Sequence, residues 1–453
     1  MYIVVAGASE LAVRTVEALQ VDHHVTLVTT DPTGIARLEN LDIQTVVGRP
    51  TSLLVLREAR VDQADYFIAA SDSDETNIVS CIAADQLKAK RRICILHGRS
   101  DDHVGETDED VTLASSVDVD AVIRPSHGLS DEILRIVKVD GALDVRSFFR
   151  GAVGLFKALV EEGSAISKDY LGKLPVKNGV RFVMVQRGDT FFVPTDATQL
   201  EAGDRVTMTG RNKLLVRTAR RQFRGPRAVT TKRRAIIAGG GSVGVRVAQG
   251  LVDCGWSVKL IERDLERCKM LSETLDCLVL HGDGSDMELL QEEFAGMTSA
   301  LIAVTNNDEK NLLISLIAKQ LGVDRIITRA DRLSNEKVFE KVGIDVVLSA
   351  RGAAVRSIVS DIVNADHEHL AELDHGEISV LELELPPSYA TTAFKDIQLP
   401  TVAAIGAVRR GRKVIIPNHK SDLRADDHVL LISRTRDEDE SKAYILERGI
   451  PRS

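Results

Sequence analysis

Residues 68–77 read IAASDSDETN and residues 302–311 read IAVTNNDEKN, so one segment returns 234 positions further along the chain. Ile68, Ala69, Asp74, Glu75 and Asn77 recur as Ile302, Ala303, Asp308, Glu309 and Asn311. Gly7 and Gly239 are offset by 232 positions and Asp31 and Asp264 by 233, which marks duplication of a whole domain with small insertions. A second repeat lies between and after these segments. Arg187, Gly188, Pro194, Leu200 and Asp204 align with Arg410, Gly411, Pro417, Leu423 and Asp427 at an offset of 223. The order is therefore large part, small part, large part, small part.

The two parts differ in pattern. In the larger one, short β-branched runs (Ile3–Ala6, Val25–Val28, Ala235–Ala238, Val258–Ile261) alternate with helix-length segments, the signature of βαβ units on a parallel sheet. In the smaller one, alternating runs such as Arg181–Gln186, Val206–Thr209 and His428–Ile432 are bounded by Gly, Pro and Asp turns, as in hairpins. The predicted fold class is α/β: two Rossmann-like doubly wound domains, each followed by a small α+β domain. The boundaries read as 1–123, a crossover helix 124–143, 144–222, a basic linker 223–232, 233–350, a second crossover helix 351–375, and 376–453. Leu129, Ile133, Ile136 and Val137 share one face of the first crossover helix; Val355, Ile358, Val359 and Ile362 share one face of the second. Such faces suit ordinary core packing or docking on the sister domain.

Residues 211–234 carry ten Lys or Arg and no acid, a solvated linker or a docking surface for an acidic or membrane-proximal partner. The net charge of −9 nevertheless argues against general nucleic-acid binding. No apolar run is long enough to cross a bilayer, and Met1–Gly7 enters a strand directly without a basic leader, so a cytoplasmic location is expected. Cys81, Cys94, Cys254, Cys268 and Cys277 form no CxxC or zinc pattern and read as buried, reduced thiols.

The sharpest motif is in the second copy. Gly239, Gly240, Gly241, Ser242, Val243 and Gly244 follow a strand and open a helix, the setting in which GxGxxG binds a dinucleotide. Gly239 permits the tight turn, Gly241 admits the pyrophosphate to the backbone, and Gly244 lets helix and strand pack closely. The helix N-terminus supplies free N–H groups and positive dipole. Glu262, ending the next strand, suits both ribose hydroxyls and so NAD(H), although Arg263 beside it leaves room for a 2′-phosphate. Asp283 is placed to meet the adenine end, and the Thr305-Asn306 turn lies at the carboxyl edge of the sheet. His281 reads as a strand end, not a catalytic group.

The first copy is degenerate. Its loop is Gly7, Ala8, Ser9, Glu10, Leu11, with a side chain at Ser9 and a negative charge at Glu10 near the phosphate position. Thr29 replaces Glu262 and Arg49 replaces Asp283. This half is a structural one, or takes a differently held ligand such as ATP or ADP, whose phosphate would meet Arg49.

The run GGGSVG…VKLIERD…HGDGSDMELL…IAVTNNDEKNLLISLIAKQLG, with the closing RGRKVIIPNHKSDLRADDHVLLIS, closely resembles the TrkA family of peripheral subunits of bacterial Trk potassium-uptake systems. The resemblance spans nearly the whole chain. It implies RCK/KTN-type domains, binding of NAD(H) and adenine nucleotides, and a ring of four chains. That ring would dock on the cytoplasmic face of a TrkH- or TrkG-like membrane protein. Carried over residue by residue, the nucleotide site falls on Gly239 to Val243, Glu262, Asp283, Thr305, Asn306 and Arg329. In the first copy it falls on Gly7 to Leu11, Thr29, Arg49, Ser71, Asp72 and His97.

The rival reading is an NAD-dependent oxidoreductase, which needs an acid/base group facing the nicotinamide. The shared positions of the small domains read as turn formers, and His367, His369, His375, His419 and His428 show no matching carboxylate spacing. A transcriptional regulator is disfavoured by the acidic balance and the lack of a helix-turn-helix signal. The expectation is a nucleotide sensor without catalytic residues or a metal site.

Overall fold

The computed structural model describes residues 1–98, 119–139, 141–149, 151–174, 179–225, 233–294, 298–323, 325–366, 369–373, 376–397, 399 and 402–448. Two compact units emerge, each drawn from both halves of the sequence. One comprises Met1–Leu134 and Thr230–Ile362, the other Arg135–Val229 and Val363–Ser453. The like parts of the repeat thus sit together, so neither unit is continuous in sequence.

The first unit holds two six-stranded sheets. In the first copy, β1 (Tyr2–Ala6), β2 (His24–Thr29), β3 (Gln44–Val47), β4 (Tyr66–Ala69), β5 (Arg92–Ile95) and β6 (Ala121–Ile123) lie in the order 3-2-1-4-5-6. Every pairing is parallel, with Ile3 opposite Val25 on one side and Tyr66 on the other. β1 is apolar throughout its middle because Ile3, Val4 and Val5 are all fully buried, one face against each helical layer. The helices used below are α1 (Glu10–Leu19), α2 (Pro32–Arg37), α3 (Leu53–Glu58), α4 (Asp74–Gln86) and α5 (Pro125–Val137).

The second copy repeats this. Between the Rossmann copies run the small-domain strands β7 (Ala142–Phe148), β8 (Val153–Leu159), β9 (Val180–Arg187), β10 (Thr190–Phe192) and β11 (Arg205–Gly210), and the helix α6 (Asn212–Thr218). Then β12 (Arg234–Ala238), β13 (Ser257–Glu262), β14 (Leu278–His281), β15 (Ala300–Ala303), β16 (Ile326–Arg329) and β17 (Val346–Leu348) form the order 14-13-12-15-16-17, again all parallel. Its helices are α7 (Ser242–Val252), α8 (Leu265–Thr274), α9 (Met287–Phe294), α10 (Asp308–Gln320), α11 (Leu333–Lys341) and α12 (Ala350–Asp366). The strand order reverses between β1 and β4, and between β12 and β15, which opens a crevice at the carboxyl ends where ligands of such sheets bind.

The two copies exchange helices. From α12, at the end of the second copy, Ala354, Ile358 and Ile362 enter the core of the first beside Ile3, Leu11, Val16 and Ile93. In return, α5 of the first copy lies on α7: the Leu134 side chain abuts Gly250, and Ser130 Oγ donates to the Val243 carbonyl at 3.4 Å. Asp131 pairs with Arg246 at 3.3 Å, and Arg356 of α12 pairs with the buried Glu132 of α5.

The second unit holds two five-stranded sheets. The first follows the order 10-9-11-8-7 and is antiparallel throughout. The second is built from β18 (His369–Leu373), β19 (Ile378–Glu384), β21 (Ala403–Arg410), β22 (Lys413–Ile415) and β24 (His428–Arg434), in the matching order 22-21-24-19-18. β20 (Thr392–Ala393) and β23 (Asp422–Leu423) pair beside it, and α13 (Glu438–Arg448) closes the chain. The sheets share a core of Leu155, Val183 and Met184 with Val380, Ala404 and Ile432. Gly406 permits that approach: a Cβ there would lie 2.6 Å from Ile432 Cδ1 and 2.8 Å from Thr209 Cγ2.

In each sheet the repeated Arg and Asp form a bidentate pair, Arg187 with Asp204 at 2.8 and 2.7 Å and Arg410 with Asp427 at 2.7 and 2.8 Å. Both aspartates are buried, so their repetition reflects a buried ion pair and not only the turn chemistry expected from sequence. Repeated Gly188 and Gly411 do serve turns, at φ of 58° and 57°.

Other expectations are corrected. Cys81, Cys94 and Cys268 are buried, but Cys254, at the turn after α7, is exposed and Cys277 is half-buried. The basic run is no simple linker. Leu215, Ala219 and Phe223 are fully buried in the first small-domain core, while the remaining linker positions 226–232 lie outside the described residues, as do His367 and His375. Among the described residues no helix is long and apolar enough to cross a membrane.

Candidate nucleotide site

The geometry of the second copy follows from its glycines. Gly239 leaves β12 at φ 113°, and a Cβ there would press on Thr305 N and the Val304 carbonyl at 3.0 and 3.1 Å. At Gly244 a Cβ would fall 1.9 Å from the Gly239 oxygen, so only hydrogen lets α7 start this close to the turn. Gly241 differs: it is the N-cap of α7, makes no side-chain cap, and its absent Cβ would point into open space. The start of α7 therefore carries neither a capping side chain nor a Cβ at its N-cap, which suits it to an anion. Val243 is buried beneath the loop and Ser242 is exposed.

Glu262 sits at the end of β13 against this loop. Its Oε2 accepts from Gly240 N at 2.7 Å, and its Oε1 accepts from Arg263 N and Asp264 N at 2.7 and 2.9 Å. A carboxylate has about four acceptor positions, so capacity for a hydroxyl donor remains. Arg267, from α8, fastens the loop by donating to the Gly240 carbonyl at 2.7 Å. Beyond Gly282, Asp283 accepts from Ser285 N and Oγ at 2.9 and 2.6 Å and from Lys310 Nζ at 2.6 Å. The Lys310 ammonium and the Ser285 donors hold the Asp283 carboxyl well below the usual carboxylate range. His281 ends β14, its Nε2 3.1 Å from the Arg263 carbonyl.

Across the crevice, Thr305 N and Oγ1 donate to Asn311 Oδ1 at 2.9 and 2.6 Å, which fixes the turn carrying Asn306. Arg329, at the end of β16, donates to Asn306 Oδ1 at 2.9 Å and to Asp331 Oδ2 at 2.6 and 3.0 Å. Asp308 receives the N–H groups of Asp331 and Arg332 at 3.0 and 3.1 Å. The crevice thus gathers the glycine loop, Glu262, Asp283, Thr305, Asn306 and Arg329 at one sheet edge. Sequence reasoning missed Lys310, Arg267 and Asp331. Lys310 was discernible, since it replaces Thr76 within the repeated segment.

The first copy shares the frame. Gly7 turns at φ 122°, and a Cβ would meet Ser71 N at 2.6 Å. Gly48 N donates to Thr29 O and Gly282 N to Glu262 O, each at 2.9 Å, so Thr29 and Arg49 do occupy the positions of Glu262 and Asp283. Thr29 is buried and Arg49 exposed. Ser9 is the N-cap of α1: its Oγ accepts from Ala12 N at 3.1 Å and donates to the Ala70 carbonyl at 2.5 Å. The helix terminus that stands open in the second copy is here capped by the chain itself. Ala8 packs against Gly34 of α2, and Leu11 is fully buried. Ser71 binds Asn77, Asp72 is exposed, and His97 Nε2 lies 3.2 Å from the Ser71 carbonyl.

One assigned correspondence is corrected. Asn77 donates to the Ile95 carbonyl and Asn311 to the Arg329 carbonyl; His97 N binds Asp74 as Asp331 N binds Asp308. His97 therefore stands where Asp331 stands, and Arg329 is matched by Ile95. A two-residue slip arises easily when short strands are aligned by sequence alone.

His428 does find a carboxylate, with Nδ1 2.9 Å from Glu382 Oε1, which also pairs with Arg409 at 2.7 Å. This cluster braces adjacent strands of the small domain. Among the described residues no group of three or more His, Cys, Asp or Glu could hold a metal ion.

Comparison with known proteins gives a consistent picture. The TrkA-N domain model matches residues 3–125 and 235–350. A Trk system potassium uptake protein TrkA homolog of Archaeoglobus fulgidus is 32% identical over 435 residues, covering 96% of this chain and 97% of its own. The GsuK RCK domain shares the fold at TM-score 0.59 and 20% identity, over 99% of this chain and 95% of that one. The GsuK channel bound to NAD superposes at TM-score 0.58, with 20% identity over 99% of this chain and 79% of that one.

Proposed function

The chain belongs to the TrkA family, and from that premise we propose that it is a nucleotide-sensing regulatory subunit of a potassium-uptake system, with NAD(H) held in the second Rossmann copy. The observation that carries the ligand is the contrast between Gly241 and Ser9. One N-cap leaves its helix terminus open to an anion, and the other closes it with its own hydroxyl. The pyrophosphate would lie over Gly239 to Val243, a ribose against Glu262, and the adenine end toward Asp283, with Thr305, Asn306 and Arg329 on the facing side. The relative named for potassium uptake and the neighbour carrying NAD support this reading.

The first copy is proposed as the altered companion, either structural or holding ATP or ADP near Arg49. Its other contacting positions would be Gly7 to Leu11, Thr29, Ser71, Asp72 and His97. Four chains would assemble on the inner face of a TrkH- or TrkG-like membrane protein, as the family resemblance implies. A ligand regulates such an assembly only by differing in affinity between its arrangements. Calorimetric titration of the full chain with NADH tests the site: saturable binding is expected, lost in Gly241→Asp with no change in melting temperature. Undiminished binding by that variant would place the ligand elsewhere.

A further inference from the structure

Glu10 is the first residue of α1 in the first copy, the position that Ser242 holds at the start of α7. It is held by Arg14 of its own helix at 3.1 Å and by Arg351 of the exchanged α12 at 3.5 Å. Both arginines also donate to the backbone carbonyl of Asp331, at 3.4 and 3.3 Å. Asp331 in turn receives both of its side-chain hydrogen bonds from Arg329 on a single oxygen, Oδ2. Its other oxygen, Oδ1, is buried and has no hydrogen-bond partner among the described residues. A chain of ion pairs and hydrogen bonds therefore runs from the second copy's crevice to the first copy's closed loop, in the order Arg329, Asp331, Arg14 and Arg351, Glu10, with the middle link made through the Asp331 backbone carbonyl.

We infer that this chain is a relay through which a ligand in the second copy is registered at the loop of the first; the inference rests on the second copy taking a nucleotide. An anionic ligand reaching Arg329 competes with Asp331 for its guanidinium. Asp331 then loses both Arg329 hydrogen bonds while its buried Oδ1 still lacks a donor, which favours any arrangement that brings a new donor to this carboxylate. The donors at hand are Arg14 and Arg351, already against its carbonyl. Each that turns to Asp331 loosens its hold on Glu10, so the first turn of α1 is freed when the second site fills. Two pairings of the same arginines give the bistable element that coupling requires.

The signs are opposite for two residues outside the set assigned to the second copy's nucleotide site. Arg351→Met removes a donor needed in the liganded arrangement and weakens NADH binding. Glu10→Gln removes the competitor for the arginines and tightens it. Each change is expected to be about fivefold or more, the lower end of ordinary coupling between sites. The experiment pairs calorimetric NADH titration of the full chain and both variants with hydrogen exchange over residues 7–16, with and without NADH. Ligand-dependent exchange in the parent, suppressed in both variants while they still bind, is the expected result. NADH binding that leaves residues 7–16 unchanged in the parent overturns the relay alone. Failure of the parent to bind NADH overturns the functional reading beneath it. Shifts of the same sign in both variants also refute the relay.

Discussion

Asn77 and Asn311, 234 positions apart, make the same four hydrogen bonds. Each accepts from the N–H and hydroxyl of the residue that ends the fourth strand's turn, Ser71 or Thr305. Each donates to that residue's carbonyl and to the end of the fifth strand. The buried amide thereby locks two strand ends at the fixed spacing that makes the crevice.

Replacing Asn311 with Leu leaves the Thr305 and Arg329 groups without partners in a buried place. The expected cost is about 3 kcal/mol, from several unsatisfied groups at roughly 1–3 kcal/mol each with partial relaxation. Urea denaturation measures it, and Asn77→Leu should cost a similar amount.

Gly241 and Gly244 separate ligand binding from folding. Gly244→Ala drives a methyl into the Gly239 oxygen and should lower stability by about 3 kcal/mol or more, in the range of overpacked sites. Gly241→Ala meets nothing and should leave stability within about 0.5 kcal/mol of the parent, as for open surface sites. It should still weaken NADH binding at least roughly tenfold, equivalent to about 1.4 kcal/mol of lost approach. Thermal melting beside titration distinguishes the two.

Asp283 supplies a pH test. Lys310 and Ser285 depress its carboxyl in the folded protein, so its stabilising contribution is complete above the unfolded value of about 3.9 and fades as pH falls toward the folded one. Lys310→Met moves the folded value back up. The two proteins should therefore differ at pH 7 by less than about 1 kcal/mol, because the pair is over a third exposed. The difference should shrink as pH drops below about 4. A gap that widens on acidification would contradict the assignment.

The small domains depend on their repeated ion pairs. Arg410→Met leaves Asp427, wholly buried, without its bidentate partner and should cost about 3–5 kcal/mol. Arg187→Met should do the same to Asp204. Chemical denaturation of both variants is the measurement.

The Rossmann pattern and its glycine loop were legible because they are local: Gly239 to Gly244 encode a strand, a turn and a helix start within ten residues. Ser9 was legible as a departure, although its cap on Ala12 and its bond to Ala70 belong to tertiary geometry. Asp204 and Asp427 looked like turn residues because nothing in sequence spacing shows that a hairpin brings each to an arginine 17 positions earlier. Asp331 was invisible for a different reason. Its meaning comes in part from Arg14 of the first copy, which reaches it only once the two copies dock.

The exchanged helices carry a consequence for inheritance. Ile358 and Ile362 are written in the second half of the gene but shaped by Leu11 and Val16 in the first, and Leu134 fits Gly250 in the opposite sense. Each half is thus the other's folding template. A split of the chain between the halves should therefore yield fragments that recover their structure only in each other's company.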